Sequence, residues 1–372
     1  MKIGIIIEPY EEENTSGISY AIMSQASGLL KIDKTNDYIL YTHKPIRSGR
    51  FQGNFKNVLV PKSFLGKNAW FFFAFLFHRK NIPDVLLFNM PLLPMVLPRS
   101  IKTIPIFYEL SAYKKQGIRI SIRPLVSHVY RLFEKQAVKR ATHIVTASTG
   151  VRKKLIDHFH LYNEKVSTIY IGFQKFREDK GMSSQFKNQR NHFLFVGRVK
   201  YKKNVHNITD GFIQFRKENS RAVNKLFIVG LYGGTYYKNI VTKITEADLS
   251  KDVVFTGFVS DSDLYQLYKN AQGLVFCSLQ EGFGMPILEA MDFGIPVITS
   301  NRSPMDEVAG DAAFIVDPEN VAEIKDAMTT LVFNKRVRNE LIRKGTVRAK
   351  LFSWEKHVSE LFRVIMFSTV AV

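Results

Sequence analysis

Two glutamates eight residues apart frame the segment Leu279-Gln280-Glu281-Gly282-Phe283-Gly284-Met285-Pro286-Ile287-Leu288-Glu289-Ala290. Gly282 and Gly284 allow the backbone to approach a ligand closely, and Pro286 suits the first turn of a helix. A helix starting here points a row of N–H groups outward, which makes a site for an anion. Glu289 is expected in the first turn of that helix. There a carboxylate complements the positive helix end and can accept hydrogen bonds from two neighbouring hydroxyls. Glu281 precedes the glycines and reaches the same pocket from the loop. The plainer alternative is a surface loop glutamate followed by an ordinary helix-start carboxylate.

Upstream, Phe193-Leu194-Phe195-Val196-Gly197-Arg198-Val199-Lys200-Tyr201-Lys202-Lys203-Asn204 reads as a buried strand ending at a glycine and followed by cations. In doubly wound folds, ligands bind beyond the carboxyl ends of the strands, near helix N-termini. Arg198 and Lys203 on such a loop can clamp a diphosphate, the first by its planar fork and the second as a point charge. Taken alone this signal is weak, since a strand followed by Gly-Arg arises often by chance. Val205, Ile208, Phe212 and Phe215 then predict one apolar face of the next helix.

The elements that must position these residues alternate from end to end. Strand-like runs are expected at Ile3–Ile7, Tyr38–Tyr41, Val58–Val60, Val85–Phe88, Ile104–Phe107 and Ile144–Thr146. A second series follows at Phe193–Val196, Leu226–Val229, Val253–Phe255, Leu274–Phe276, Val297–Ile298 and Phe314–Val316. Near-continuous apolar strands separated by helical patterns indicate parallel sheets covered on both faces. Two such series imply an α/β chain of two doubly wound, Rossmann-like domains, assigned to 1–172 and 173–352. The stretch Lys175–Arg190 is polar and without apolar period, so it reads as a linker. Beyond Ser353, Val358, Leu361, Phe362 and Ile365 form one stripe of a terminal helix over 353–372.

The 372 residues are 45% hydrophobic and 23% charged, which excludes disordered, collagenous and low-complexity classes. One cysteine, Cys277, leaves no intrachain disulfide and suits a reducing compartment. Met1 to Glu8 reads as a first strand rather than a charged leader, and the longest apolar run, Ala69 to Phe77, is short of the roughly 20 residues of a membrane-spanning helix. Together these predict a cytoplasmic chain.

The 53 basic residues against 33 acidic give a net charge of +20. Up to Gly172 there are 25 basic and 11 acidic residues, so the excess is concentrated in the first half. The densest stretch runs from Lys114 to Lys154. A field of this sign attracts nucleic acid, phosphorylated metabolites or an anionic membrane. No RNA-binding aromatic signature, zinc spacing or zipper accompanies it, so no nucleic-acid partner is expected. Trp70-Phe71-Phe72-Phe73-Ala74-Phe75-Leu76-Phe77, flanked by Lys67 and by His78-Arg79-Lys80, fits a helix lying in a membrane interface or one packed on a sheet. Both hold if one face is buried and the other wetted by headgroups.

The two glutamates around Gly-Phe-Gly-Met-Pro, with the Gly-Arg…Lys loop upstream, resemble the donor site of a family 4 retaining glycosyltransferase of the GT-B fold. Thr256-Gly257-Phe258-Val259, Gly294-Ile295-Pro296-Val297-Ile298, the run from Asn301 to Pro318 and Phe352-Ser353-Trp354 extend the match. The Asp-Glu-Val-Ala-Gly-Asp-Ala-Ala segment is most similar to mannosyltransferase-like members that build surface polysaccharides. The resemblance implies two Rossmann-like domains with a cleft between them and a terminal helix crossing back toward the first. It implies Arg198 and Lys203 on the donor diphosphate and Glu289 on the ribose. Glu281 and the stretch Gly282, Phe283, Gly284 and Met285 would hold the sugar and distal phosphate. Val259 would lie near the base, and Gly17, in Thr15-Ser16-Gly17-Ile18, would approach the diphosphate. Glu281, Arg198 and Lys203 are the candidate catalytic groups.

The implied reaction moves a hexose, mannose in the first instance, from a nucleotide-diphosphate sugar such as GDP-mannose to a saccharide acceptor. No cofactor and no metal are expected. The charge and the aromatic run point to a lipid-linked acceptor and an anionic membrane surface, with the chain peripheral at the inner face of the cell membrane. In one place the chain departs from the family. Members often carry His-Asp where this sequence has Tyr108-Glu109, and neither residue titrates like histidine near neutrality. Other readings are a GT-B-fold epimerase or phosphorylase, a non-catalytic homologue, and a basic nucleic-acid-binding protein.

Overall fold

A computed structural model describes residues 1–7, 17–47, 49–59, 81–89, 97–110, 132, 134–178 and 184–370. The aromatic run Trp70–Phe77, Thr15, Ser16 and the part of the basic stretch at 111–131 lie outside the described residues. Met1–Gly172 together with Ser353–Val372 form one unit, and Phe173–Phe352 form a second.

The first unit holds strands β1 (Lys2–Ile6), β2 (Asp37–Thr42), β3 (Phe55–Leu59), β4 (Val85–Phe88), β5 (Lys102–Phe107), β6 (Ile144–Thr146) and β7 (Val166–Thr168). They lie in the order β3-β2-β1-β4-β5-β6-β7, every pair parallel. The central strand β4 is buried at all four residues, as a sheet covered on both faces requires. The edge strand β3 alternates exposed and covered positions and carries Lys56, a charge that discourages a further strand from pairing. β7 was not expected from the sequence, because Val-Ser-Thr offers only one apolar residue as a signal.

Helix Gly17–Ile32 buries Ile22, Met23, Ala26, Leu29 and Leu30. The terminal helix Trp354–Val370 buries Val358, Leu361 and Ile365, three of the four residues of the expected stripe. It packs against helix Gly17–Ile32 at Gly28, where an added Cβ would stand 2.4 Å from Val358 Cγ2. A glycine in mid-helix costs roughly 1 kcal/mol relative to alanine, and here it makes room for a neighbouring helix.

The second unit holds β8 (His192–Val196), β9 (Leu226–Val229), β10 (Val253–Gly257), β11 (Ala271–Phe276), β12 (Val297–Ser300) and β13 (Phe314–Val316). Their order is β10-β9-β8-β11-β12-β13, again all parallel. Helix Val205–Glu218 covers this sheet with Val205, Ile208, Phe212 and Phe215, each 0% exposed. The chain leaves β8 toward β9 on one side and returns to β11 on the other. That reversal is the topological switch point, where the loops beyond two adjacent strands splay apart and leave a crevice.

The expectation of a linker over Lys175–Arg190 is corrected. Phe176 packs on Tyr268 and Phe293, and Phe186 meets Phe227 edge to face at 5.7 Å. Ser184 Oγ donates to Asp263 and Lys269 pairs with Glu178, so the described residues at 175–178 and 184–190 are fastened to the second unit. Two isolated aromatics have no period, which is why the pattern read as free chain.

Gly28→Leu is expected to displace the terminal helix, since Val358 cannot retreat from a side chain of that size without leaving the core. Hydrogen exchange should then show faster exchange across 354–370 while the amides of β9 and β11 keep wild-type protection.

Candidate functional site

Three glycines end the strands on one side of the switch point. A Cβ on Gly230 would stand 2.3 Å from Gly197 O, a backbone atom that cannot move aside, and Gly230 has φ +134°. The loops beyond β8 and β9 therefore run in contact. Val199 N–H donates to Leu231 O, and Gly230 N–H to Gly257 O, each at 2.8 Å. This lattice of main-chain bonds fixes where Arg198 leaves the backbone. Arg198 itself is exposed.

On the other side, Leu279 N–H donates to Lys202 O at 2.8 Å, tying the loop after β11 to the loop after β8. Across that junction Lys203 Nζ lies 2.5 Å from Glu281 Oε1, with side chains only 18% and 9% exposed. Lys203 also sits over the Phe276 ring at 5.4 Å. Its Cε lies 3.9 Å from the position of a Cβ on Gly197, next to Arg198. Lys203 and Glu281 thus meet where the loops after β8 and β11 join, and Arg198 lies on the first of these loops, five residues before Lys203.

The charge there is unbalanced. The Lys200 ammonium is held below its ordinary range, by partial loss of solvent first and then by Arg198, Lys202 and Lys203. Four cations crowd one loop, and Glu281 is the acid paired with one of them. Cations forced together in this way lower their mutual repulsion when a polyanion binds.

Asn204, whose role the sequence reading missed, holds the junction from beneath. It is fully buried in a left-handed turn (φ 60°) at the start of helix Val205–Glu218. Its Nδ2 donates to Cys277 O at 2.9 Å and to Pro318 O at 2.6 Å. One amide thus pins the end of β11 and the turn after β13 to the cationic loop. Asparagine is among the few residues that tolerate a left-handed backbone, which was the available signal.

Helix Met285–Asp292 opens as anticipated, with Gly284 at φ 105° before it and a proline in its first turn. Pro286 has no N–H and Ile287 N–H goes back to Gly284 O, so among the described residues Met285 N–H and Leu288 N–H are the amides left in the first turn. Phe283 is buried, its ring edge-to-face with Phe352 at 5.9 Å. Beyond β10, Gly257 turns with φ +73°, Phe258 is 63% exposed, and Val259 leads to Ser260, whose Oγ accepts from Asp263 N–H.

One expectation is corrected. Glu289 is the fifth residue of helix Met285–Asp292, so it stands in the second turn rather than the first. It is 7% exposed, and its Oε2 accepts a 2.7 Å hydrogen bond from the Tyr268 hydroxyl. Burial pushes its carboxyl up to about 7, with Asp261 adding to the rise and the Tyr268 bond opposing it. Tyr268, on helix Asp261–Lys269, gave no sign in the sequence beyond one more aromatic in an apolar stripe.

A further point concerns Tyr108, which stands where the family often has histidine. It is 7% exposed, and its hydroxyl donates to Asn89 Oδ1 at 3.1 Å and Gln25 Oε1 at 3.4 Å. His357 Nε2 contacts the same Gln25 Oε1 at 3.3 Å. A buried network of four polar side chains therefore occupies the carboxyl end of β4 and β5, and burial raises the Tyr108 phenol well above its ordinary value. Gly17 opens helix Gly17–Ile32 in this same unit. Among the described residues no group of three His, Cys, Asp or Glu side chains is placed to hold a metal ion. No described helix is long and apolar enough to cross a membrane.

Residues 176–348 match the family model described as glycosyl transferases group 1. They belong to that family. The matched span contains Arg198, Lys203, Glu281 and Glu289, so the family's region and the crevice coincide. Among curated relatives, the O-antigen chain mannosyltransferase RfbU of Salmonella typhimurium is 31% identical over 202 residues, 54% of each chain. O-antigen chain mannosyltransferase B of Escherichia coli is 32% identical over 163 residues, 44% of this chain and 42% of that one. The chain spans about half the length of these curated relatives. Among solved structures, sucrose-phosphate synthase from Thermosynechococcus elongatus aligns over 100% of both chains, with a TM-score of 0.78 at 16% identity. WaaG, a glycosyltransferase involved in lipopolysaccharide biosynthesis, aligns over 98% of this chain and 99% of its own, with a TM-score of 0.73 at 16% identity. The fold is GT-B, as the motifs implied.

The buried Glu289 carboxyl has a consequence for stability. Because its folded value lies above the unfolded one, the native chain holds a proton that the unfolded chain releases. Its contribution is therefore most favourable below the unfolded value of 4.5 and is lost as pH rises toward about 7. Glu289→Gln, which removes the buried charge, is expected to raise the melting temperature more at pH 8 than at pH 5, as thermal-shift curves at the two pH values will show.

Proposed function

We propose that the chain is a retaining hexosyltransferase that moves mannose from GDP-mannose to a saccharide acceptor in cell-surface glycan synthesis. The observation that carries the reading is the Lys203–Glu281 pair at the β8/β11 switch point, inside the family-matched span and beside Arg198. A diphosphate entering the crevice meets Arg198 and Lys203 on one wall and Met285 N–H at a helix start on another. Glu289 lies one turn further along and takes the ribose. Val259 and its loop lie at the base.

The chemistry asks for stabilisation of two developing charges. As the glycosidic bond to phosphate lengthens, negative charge grows on the leaving diphosphate and positive charge on the sugar. Arg198, Lys203 and the Met285 amide would stabilise the first without reorganising, which is commonly the largest catalytic contribution. Glu281 would sit on the sugar side, its carboxylate already oriented by Lys203. No metal is called for in this scheme. The names of the O-antigen mannosyltransferase relatives support mannose as the sugar. Neither the family nor its relatives favour an epimerase or a nucleic-acid-binding protein.

Arg198→Ala, Lys203→Ala and Glu281→Ala are each expected to lower kcat/KM at least tenfold, equivalent to about 1.4 kcal/mol of transition-state stabilisation. Breaking a nearly buried ion pair also destabilises, so circular dichroism must accompany the kinetics of the last two. GDP-mannose should raise the melting temperature of the wild-type chain and leave a folded Arg198→Ala/Lys203→Ala double variant unmoved. Full turnover by that double variant would remove the diphosphate site.

The acceptor is proposed to be lipid-linked, with the chain peripheral at the inner membrane face. The net charge of +20, concentrated before Gly172, supports this. Flotation with vesicles containing anionic lipid should carry the chain upward at low salt and release it as ionic strength rises. Absence of flotation at any salt would favour a soluble acceptor.

A further inference from the structure

Glu289 presents its two carboxylate oxygens differently. Oε2 is taken by the Tyr268 hydroxyl at 2.7 Å, while among the described residues Oε1 has no hydrogen-bond partner. Tyr268 cannot turn away from this bond. Its ring is fully buried and stacks on Phe293 at 5.2 Å with an interplanar angle of 13°, and Phe176 packs against it at 5.8 Å. Phe293 directly follows helix Met285–Asp292, so the ring that clamps Tyr268 moves with the helix that carries Glu289. Phe176 belongs to the segment whose sequence suggested a free linker.

We propose that Tyr268 is a positioning residue of the donor site: its phenol fixes Glu289 Oε2 and so aims Oε1 at a ribose hydroxyl of the nucleotide. The inference rests on the reading of Glu289 as the ribose ligand. Tyr268 touches no substrate and acts through Glu289 alone. It also keeps the carboxylate form in use, because a hydroxyl donating to Glu289 favours the charged state that burial opposes.

Asp261 is the charged group that acts on Glu289, and several others on the helices about Met285–Asp292 are committed elsewhere. On helix Asp261–Lys269, Asp261 accepts from Gln174 and repels the Glu289 charge, whereas Lys269 pairs with Glu178. On helix Lys335–Ala349, which packs against helix Met285–Asp292, Lys344 pairs with Asp311 and Glu340. Arg348 of the same helix donates to Val308 O and Glu307 O. On helix Met305–Ala309, Asp306 Oδ1 accepts from Glu307 N–H. Tyr268 is left as the group that donates to Glu289.

The test is the pH profile of donor binding and turnover for wild type, Tyr268→Phe, Glu289→Gln and the double variant. Tyr268→Phe keeps the stacked ring and so the packing. It is expected to raise the KM for GDP-mannose about three- to tenfold with kcat nearly unchanged, the signature of lost uniform binding. The acid limb of its KM profile should move upward by about half a pH unit or more, since a donor to the carboxylate has gone. In the Glu289→Gln background the same substitution should change KM little. Tyr268→Phe with a wild-type KM and acid limb, while Glu289→Gln raises KM, would overturn the positioning role and leave the donor site standing. If Glu289→Gln itself leaves donor KM untouched, the ribose reading fails, and this inference with it. A carbon-detected NMR titration of the Glu289 carboxyl, in wild type and Tyr268→Phe, reads the same coupling without substrate and applies even if the variant turns over poorly. An unchanged titration there would equally overturn it.

Discussion

The ion pair between Lys203 and Glu281 is the contact on which the crevice depends. It joins the loops that leave the paired strands β8 and β11, beyond the last rungs of their ladder. A pair this well covered has lost much of its hydration, so its geometry must be supported by its neighbours. Asn204 supplies that support through Cys277 O and Pro318 O, and Lys202 O does so through Leu279 N–H. The result is a cation held at a fixed place with one face toward the crevice.

Around that cation the second unit shows two different ways of preparing for a ligand. On the Arg198–Lys203 loop like charges are left crowded, so an incoming anion relieves repulsion already present. At Glu289 the strain is of the opposite kind. A carboxyl is buried among aromatic rings and kept usable by one phenol, and the chain tolerates a group that would fold better uncharged. Sites that oppose stability in this way are where sequence rules are expected to be broken in favour of function.

Much of the fold was legible because parallel strands covered on both faces are written as continuous apolar runs. Leu226–Val229, Ile144–Thr146 and Phe314–Val316 were bounded to the residue, and the stripe Val205, Ile208, Phe212, Phe215 was read correctly as one helix face. β7 escaped because an edge strand of three residues needs little apolar surface. Phe176 and Phe186 escaped because an irregular segment can be anchored by single rings that have no period. The two strand-to-helix loops that carry Arg198, Lys203 and Glu281 were legible since glycine, proline and charge together mark such loops. Tyr268 and Asn204 were not, because they act through hydrogen bonds to residues far off in sequence, Tyr268 across 21 residues and Asn204 across 73 and 114. The surroundings of Tyr108 were not legible for a related reason: a phenol at a strand end says nothing of whether Asn89 and Gln25 enclose it.

The most direct measurement of the central claim is a crystal structure of the chain with GDP. The account predicts the diphosphate within hydrogen-bonding distance of Lys203 Nζ and Met285 N–H, and a ribose hydroxyl on Glu289 Oε1. GDP bound away from the β8/β11 crevice, or a ribose pointing away from Glu289, would contradict it.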